Sequence, residues 1–219
     1  RLSIVDINLL AYMPSSLTAK TGFDALAHVM ESFVSKKSNP VTDFFCLKAM
    51  ELIFHYLPRV YDDGNNMEAR EKMALADTLA GWSITTSRPV LPHALSHPIS
   101  AFYPKIDHGI ALAALTPQIM RFNIERGDEE VLKKYCQVAN VAGEDICQTN
   151  KKYALKSVTV VQKLLKRIEL DNTLEALGVE KNSLQNMVEN AFKTMKGTIE
   201  ANPVPVSRND ALRLYNESM

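Results

Sequence analysis

Four of the five histidines and one aspartate are spaced so that a single metal ion could bind them. Asp24 and His28 lie four residues apart in TGFDALAH, and His93 and His97 repeat that spacing in PHALSH. Residues four apart share one face of an α-helix, so each pair can point at the same ion. His108 follows in KIDHG, where a further helix is expected to begin. Carboxylate and imidazole ligands without thiolates favour a catalytic divalent metal over a structural zinc site.

The combination of these residues carries more weight than either pair alone, because a single HxxxH on a helix often has no ligand. Three of the five histidines fall between positions 93 and 108. Asp24 stands in a largely apolar segment, where a buried carboxylate is costly unless it is paired or bound to metal. His55, in ELIFHYLP, has no acidic residue at a useful spacing and is interpreted as structural.

Composition and periodicity predict an all-α fold for the elements that carry these residues. The 219-residue chain is 46% apolar and contains only eight glycines and ten prolines, which favours helices over strands. We predict one domain over residues 1–219, a bundle of seven to nine helices. Residues 2–14 are expected to form an extended lead-in, and residues 100–107 a loop. The helices are predicted near 15–35, 41–60, 67–87, 93–99, 108–123, 129–142, 153–168, 182–195 and 210–217.

Charge and cysteine usage exclude several classes of partner. Twenty-five basic and twenty-five acidic residues cancel, so no charge excess attracts nucleic acid or a membrane surface. The apolar runs are too short to cross a bilayer. The three cysteines form no CxxC pair, which indicates a reducing cytoplasm. No GxGxxG occurs and no two glycines lie within ten residues, so no glycine-rich phosphate cradle is predicted.

Four segments resemble the C-terminal helical domain of the iron-containing, or group III, alcohol dehydrogenases, whose fold is of the dehydroquinate synthase type. VDINLLAYMP is similar to the opening of that domain, and NPVPVSRNDALRLY to its C-terminal tail. TGFDALAHVMESF and HALSHPISAFYPKIDHGIALA resemble its two metal motifs. The resemblance, which covers almost the whole chain, implies that His97 lies beside the metal, near nicotinamide and substrate, as a catalytic and cofactor-contacting residue. The implied metal ligands are Asp24, His28, His93 and His108.

The activity implied by this resemblance is interconversion of an alcohol with an aldehyde or ketone. Hydride would move to or from NAD or NADP while the metal polarises the substrate oxygen. Fe(II) is the expected metal and Zn(II) the alternative. In the family a dinucleotide-binding half precedes the metal domain and holds most of the cofactor. We therefore expect this chain to bind metal but to show little dehydrogenase activity alone. Its expected partners are a small alcohol or aldehyde and that nucleotide-binding half, and self-association stays open.

Three positions depart from the pattern of the family or have an open role. Asp107 stands where the family usually has proline before the last His-Gly, and could orient an imidazole or be a solvated loop residue. Arg88 lies in SRPVLPH, where the family tends to have small residues and a glycine. Its guanidinium is expected to point to solvent, the alternative being a bidentate contact with an anionic substrate. Trp82 is expected to fill the core, the alternative being a place in the wall of the pocket.

Other functions remain as alternatives. A zinc-dependent glycerol dehydrogenase and dehydroquinate synthase, a lyase, share the implied architecture, but DxxxH followed by HxxxH is closer to the alcohol dehydrogenases. A free-standing, non-enzymatic helical metal-binding or interaction domain is a further alternative. A carboxylate-bridged di-iron bundle needs paired ExxH motifs, and this chain has none.

Overall fold

The computed structural model describes residues 4–219, which form eleven α-helices and one short 3-10 helix at Lys181–Ser183. No β-strand occurs in this range, so the predicted all-α class is confirmed. Nine helices have at least ten residues, and two shorter ones bring the count above the predicted seven to nine. The helices are α1 Ile7–Leu10, α2 Ser15–Val34, α3 Pro40–Asp62, α4 Met67–Ser87, α5 Leu91–Phe102, α6 His108–Arg126, α7 Glu129–Val141, α8 Lys151–Arg167, α9 Leu184–Thr194, α10 Lys196–Glu200 and α11 Arg208–Glu217.

Two of the irregular segments predicted from the sequence contain helix. The predicted extended lead-in is wrong at Ile7–Leu10, where α1 begins because the Asp6 carboxylate accepts a hydrogen bond from the Asn8 amide at 2.9 Å. The part of that lead-in before residue 4 lies outside the described residues. The predicted loop 100–107 is wrong at its start, since α5 continues to Phe102. Helices as short as α1 and α10 give no periodic pattern to detect.

Polar side chains begin most of the other helices. Asn39, for example, accepts hydrogen bonds from the amides of Val41 and Thr42 and starts α3. The three helices that carry the candidate metal ligands differ, because no side chain at their own N-caps forms such a bond. Their first turns must be positioned by contacts with other helices. The other side-chain caps are Asp6, Asn66, Asp128, Asn150 and Ser207.

The buried apolar residues form two clusters that meet at α6. The first cluster is built mainly by α2, α3, α4, α7 and α8, and the second by α5, α9 and α11. Helix α6 contributes to both, with Leu112 and Met120 in the first cluster and Leu115 and Phe122 in the second. Asp24 and His28 therefore approach from the first cluster, and His93 and His97 from the second. The candidate site lies at the seam between them.

Trp82 does not fill the core, and that expectation is wrong. Its side chain is 59% exposed and packs edge-on against Phe45, with ring centroids 5.6 Å apart. Helix α4 is buried through small residues such as Ala76, Ala80 and Ser83. The buried positions 76, 79, 80, 83 and 87 share one face of the helix, and Trp82 lies off that face. Among the helices of residues 4–219, none has both the length and the apolarity that crossing a membrane requires.

Arg88 joins α4 to α5 with a strained backbone, at φ 65° and ψ 147°. Only glycine adopts this region readily, because a Cβ crowds the backbone there. The residues on either side are held by α2. The Ser35 hydroxyl donates to the Ser87 carbonyl at 2.8 Å, and the Val90 amide donates to the Glu31 carboxylate at 2.7 Å. These two bonds fix the turn, and Arg88 takes the conformation that remains. Its side chain is exposed, as expected.

Arg88→Gly should therefore stabilise the protein. Relief of the positive φ is worth about 1–3 kcal/mol, and the greater freedom of glycine in the unfolded chain offsets part of it. We expect a net gain of about 1 kcal/mol, which raises the thermal midpoint by about 2–4 °C in a chain of this size. Thermal denaturation followed by circular dichroism measures the shift.

Arg88→Ala is the matched control, since it removes the same side chain but keeps the Cβ and the strain. Its midpoint should stay close to that of the parent chain. Equal midpoints for the glycine and alanine variants would show that the backbone at this position stores no strain.

Candidate metal centre

Helix α2 presents Asp24, His28 and Glu31 along one face. Positions i, i+4 and i+7 recur on the same side of an α-helix, one turn after another. The sequence analysis identified the first two residues and missed Glu31. The available signal was its spacing, three residues after His28 and seven after Asp24, within the apolar run HVMESFV.

Glu31 is a buried carboxylate that organises the start of α5. Only 3% of the residue is exposed. One carboxylate oxygen, Oε2, accepts hydrogen bonds from the amides of Val90 at 2.7 Å and His93 at 3.3 Å. The other, Oε1, lies 2.6 Å from Nδ1 of His93. Glu31, on α2, thus acts as the N-terminal cap of α5, whose own N-cap residue provides none. It also fixes the orientation of the His93 ring.

The far side of the same ring faces Asp24. Nε2 of His93 lies 3.4 Å from Oδ1 of Asp24. Both atoms are buried, and neither has a hydrogen-bond partner within residues 4–219. When Nδ1–H of a neutral His93 donates a hydrogen bond to Glu31, the lone pair of Nε2 points towards the Asp24 carboxylate. Two buried acceptors at this distance repel each other unless a cation or a proton lies between them.

The spacing around Asp24 fits one metal ion. Nε2 of His108 and Nδ1 of His28 each lie 3.7 Å from Oδ1 of Asp24. Ligand atoms about 2.1 Å from one ion in tetrahedral geometry lie about 3.4 Å apart. The contacts of Asp24, at 3.4 and 3.7 Å, are close to that value. The donor set therefore suits a divalent transition metal.

Three of the four expected ligands already converge. Asp24, His93 and His108 offer ligand atoms that all lie within 4.8 Å of one another. The His28 ring instead stacks on His93, with centroids 4.3 Å apart and planes inclined at 26°, and is not part of that group.

His97 is exposed at the edge of the group, and its ring centroid lies 5.3 Å from that of His108. His55 is exposed on α3 and packs against the ring of Tyr56.

Burial and neighbouring charges shift the pKa values of these groups in opposite directions. Full or partial loss of hydration lowers the pKa of His28, His97 and His108, and in the metal-free site the positive charge of His93 lowers each further, which favours neutral imidazoles. Burial acts the same way on His93, but Glu31 and Asp24 outweigh it and raise its pKa to about 9. Burial alone would raise the pKa of Asp24, but its contacts with the histidines hold it below the usual value.

The raised pKa of His93 makes metal binding compete with a proton. Near neutral pH the imidazole of His93 is protonated in the metal-free site, and a metal ion must displace that proton. Because fewer sites are protonated at higher pH, metal affinity should rise as the pH rises towards 9.

Asp107 anchors the helix that carries His108 and does not orient an imidazole. Its carboxylate lies 2.5 Å from Nζ of Lys20 on α2. Gly109 follows, and a Cβ at this position would lie 2.4 Å from the Lys20 carbonyl oxygen. Only glycine permits this close approach of α6 to α2. The ion pair and the glycine together hold His108 against the Asp24 face of α2.

A cavity of about 370 Å³ lies between α2 and α4, with Asp24 and Asp77 in its lining. Asp77 is a second acidic residue that the sequence analysis missed. Partial loss of hydration raises the pKa of Asp77, and its negative charge offsets a small part of the lowering of the His28 pKa. Arg70 also lines the cavity, but its guanidinium is hydrogen-bonded to Thr18 and to the carbonyls of Met13 and Gly64. The cavity therefore offers space and a carboxylate beside the metal ligands.

Comparison with known proteins identifies several relatives. A family model described as the Fe-containing alcohol dehydrogenase family, C-terminal, matches residues 18–219. The NAD-dependent methanol dehydrogenase of Bacillus methanolicus is 29% identical over 219 residues, covering 100% of this chain and 56% of the relative. The 1,3-propanediol dehydrogenase of Klebsiella pneumoniae is 32% identical over 218 residues, covering 99% of this chain and 54% of the relative. The chain thus spans about half the length of these curated relatives.

Solved structures share the fold over the same length. An archaeal halo-thermophilic alcohol dehydrogenase from a Red Sea brine pool is 43% identical and superposes with a TM-score of 0.98 over 100% of this chain and 55% of its own. The iron-containing alcohol dehydrogenase of Thermococcus thioreducens is 27% identical, with a TM-score of 0.85 over 98% of this chain and 53% of its own.

Glu31→Gln should weaken metal binding without removing a metal ligand. The amide keeps the size of the carboxylate but loses the charge that holds His93 in place. A glutamine has one oxygen and one NH2 group in place of the two carboxylate oxygens. The NH2 group would therefore face another donor, either Nδ1–H of His93 or the Val90 amide. Loss of such a supporting carboxylate typically costs about 10–100-fold in metal affinity. Competition with a chelator, using Zn(II) under defined conditions, measures the dissociation constant.

Glu51→Gln is the matched control, because Glu51 is exposed on α3 and pairs only with Lys48 at 3.0 Å. The affinity of the Glu51→Gln variant for Zn(II) should equal that of the parent chain. An unchanged dissociation constant for the Glu31→Gln variant would contradict the role given to Glu31.

Proposed function

The chain belongs to the iron-containing alcohol dehydrogenase family, and from that premise we propose that it is the metal-binding half of an NAD(P)-linked alcohol dehydrogenase. One observation carries this proposal. Oδ1 of Asp24 and Nε2 of His93 face each other at 3.4 Å, both buried and neither hydrogen-bonded within residues 4–219, and His108 completes a group that could hold an ion.

The proposed metal ligands are Asp24, His28, His93 and His108. His28 lies outside the group of three that already converges, since its ring stacks on that of His93. Its place four residues after Asp24, and its Nδ1 at 3.7 Å from that carboxylate, support the assignment. When bound, Fe(II), or alternatively Zn(II), would supply a Lewis acid that polarises the alcohol or carbonyl oxygen.

The other residues of the centre would position groups and move the proton. Oxidation of an alcohol by NAD(P)⁺ gives a carbonyl compound, NAD(P)H and one proton. His97 is exposed at the edge of the centre, and partial loss of hydration lowers the pKa of its imidazole below the ordinary value, which favours the neutral form that can accept a proton. We assign to it the orientation of substrate beside the nicotinamide and the acceptance of the hydroxyl proton. Glu31 keeps His93 in one tautomer and orientation throughout.

The nicotinamide cofactor must be held mainly by a separate nucleotide-binding half. This chain offers no glycine-rich phosphate cradle, and it spans about half of the relatives reported above. We propose that residues 1–219 form one helical catalytic domain and that the cleft between the two halves binds NAD or NADP. Alone, the chain should bind metal but turn over little substrate.

The proposed substrates are small alcohols and their aldehydes, which the names of the methanol and 1,3-propanediol dehydrogenases support. Those relatives are dehydrogenases, so neither a lyase nor a non-enzymatic domain is proposed. A cytoplasmic location is proposed because all three cysteines are free thiols. Self-association stays a prediction.

His97→Ala and His93→Ala should separate catalysis from metal binding. In the enzyme with its nucleotide-binding half, His97→Ala should retain its metal and lose about 10²–10⁴-fold in kcat, the usual contribution of a general acid–base residue. His93→Ala should lose the metal itself. Metal content by elemental mass spectrometry and NAD(P)H formation by absorbance measure the two effects.

Equal loss of metal in both variants would show that His97 is a ligand and that the assignment is wrong. Exposed His55 provides the control, and His55→Ala should change neither readout.

A further inference from the structure

Asp77 is a negative charge on α4 for which the fold provides no partner. Its carboxylate forms no ion pair and no hydrogen bond within residues 4–219. The residue is exposed at the surface, yet partial loss of hydration raises its pKa. An ionised carboxylate that has lost part of its water and gained no partner lowers the stability of the folded chain. A cation supplied by a ligand would restore the missing interaction.

The register of α2 and α4 places Asp77 level with the metal ligands. Two hydrogen bonds of 2.8 Å join these helices, each between residues 52 apart in the chain, from Arg70 to Thr18 and from Ser35 to the carbonyl of Ser87. The helices therefore run in the same direction, without a shift between their two ends. By the same separation Asp77 lies opposite Ala25, next to Asp24. Packed helices have axes about 8–10 Å apart, so only the width between neighbouring helices separates the two carboxylates.

The cavity of about 370 Å³ between α2 and α4 connects these carboxylates, since Asp24 and Asp77 both line it. Small-molecule sites typically have volumes of about 300–1,000 Å³. One turn further along α4, a Cβ at Gly81 would meet no heavy atom within 4 Å, so the space beside Asp77 stays open. A substrate with its hydroxyl group beside Asp24 can therefore extend to Asp77. Most of the other lining side chains are apolar, among them Leu10, Met13, Val60, Met73 and Ala74.

Arg70 also lines the cavity but does not neutralise Asp77. Its guanidinium is held two turns earlier on α4, by hydrogen bonds to Thr18 and to two backbone carbonyls. The charges that act on the pKa of Asp77 are those of His28 and Asp24, and the charge of Arg70 is not among them. Asp77 thus faces the cavity without a cation from the described part of the chain.

The charge balance of the metal-loaded centre also leaves Asp77 unpaired. The two positive charges of a divalent ion would be matched by the carboxylates of Asp24 and Glu31, since histidine ligands bind in their neutral form. Asp77 adds one negative charge beside this balanced set. Because the wall of the cavity is largely apolar, a cation there is attracted more strongly than in water.

We propose that Asp77 selects substrates by binding the cationic nitrogen of an alcohol whose hydroxyl group lies at the metal centre. The proposal rests on the proposed dehydrogenase function and specifies its substrate class. An ammonium group would form a charge-assisted hydrogen bond with the carboxylate, which is about twice as strong as a neutral hydrogen bond. The substrates are short amino alcohols, with about two to four carbons to span the space between neighbouring helices, and the corresponding amino aldehydes.

The test uses the metal-loaded enzyme with its nucleotide-binding half and matched pairs of substrates. 2-Aminoethanol is compared with 1-propanol, and 3-amino-1-propanol with 1-butanol, because each pair exchanges an ammonium group for a methyl group of similar size. Each pair is measured with the parent enzyme and with Asp77→Asn, Asp77→Glu and Asp171→Asn. Asp171 is the control, since it is an exposed aspartate after α8 and its loss removes the same charge from a different surface.

We expect kcat/KM for at least one amino alcohol to exceed that for its matched alkanol. Asp77→Asn should lower the amino alcohol value roughly ten- to a hundredfold, the usual effect of losing a charge-assisted hydrogen bond, and leave the alkanol within about twofold. Asp77→Glu should keep part of the preference because it keeps the charge. Asp171→Asn should change neither substrate. An equal loss for both members of a pair, or a parent enzyme that prefers every alkanol, would overturn the proposal.

Two further measurements separate this role of Asp77 from others. Metal content should be the same in the parent enzyme and in Asp77→Asn, and a loss of metal in the variant would show that Asp77 supports the ligands and not the substrate. 1,3-Propanediol tests hydrogen bonding without charge. If Asp77→Asn lowers kcat/KM equally for this diol and for 3-amino-1-propanol, the carboxylate does not select for a cation and the proposal fails.

Calorimetric titration of the zinc-loaded protein with 3-amino-1-propanol needs no turnover. Binding that disappears in Asp77→Asn supports the cation site even if no alcohol is oxidised, in which case only the dehydrogenase function fails. Binding that is absent, or unchanged in the variant, contradicts the site.

Discussion

The buried carboxylate of Glu31 is the group on which the rest of the centre depends. A carboxylate removed from water costs several kcal/mol unless every lone pair finds a partner. Glu31 finds its partners on one short stretch of chain, the amides of Val90 and His93 and the His93 ring. Satisfying this charge therefore fixes the start of α5, the tautomer of His93 and the register of α5 on α2. The orientation of Nε2 towards Asp24 follows from those constraints.

The location of the centre at the seam between two apolar clusters gives the metal a structural role as well. Asp24 and His28 belong to a helix of the first cluster, His93 belongs to the second, and His108 begins the helix that both share. Glu31 also crosses this seam, through its bonds to Val90 and His93. The buried amide pair of Asn123 and Asn202, at 2.8 Å, ties α6 to the segment before α11. An ion held across the seam would stabilise the packing that creates the site.

The sequence predicted what depends on local spacing and missed what depends on distant contacts. The long amphipathic helices and the pairing of Asp24 with His28 follow from helical periodicity, so they were accessible. Glu31 was missed because its partners lie 59 and 62 residues away. The role of Asp107 was left open for the same reason, since Lys20 lies 87 residues before it.

The positive φ of Arg88 arises from two bonds to α2, and no local pattern of residues predicts it. Trp82 was misplaced because its residue type favours the core, whereas its position lies off the buried face of α4.

The central claim is that this chain binds one catalytic metal ion through Asp24, His28, His93 and His108. The most direct test is elemental mass spectrometry of the purified 219-residue chain after anaerobic reconstitution with Fe(II) or Zn(II), in parallel with His28→Ala. His28 is the sharpest choice because it is the one proposed ligand outside the converging group of Asp24, His93 and His108. We expect near-stoichiometric metal in the parent chain and its loss in the variant. No bound metal in the parent chain, or equal metal in both proteins, would contradict this ligand assignment.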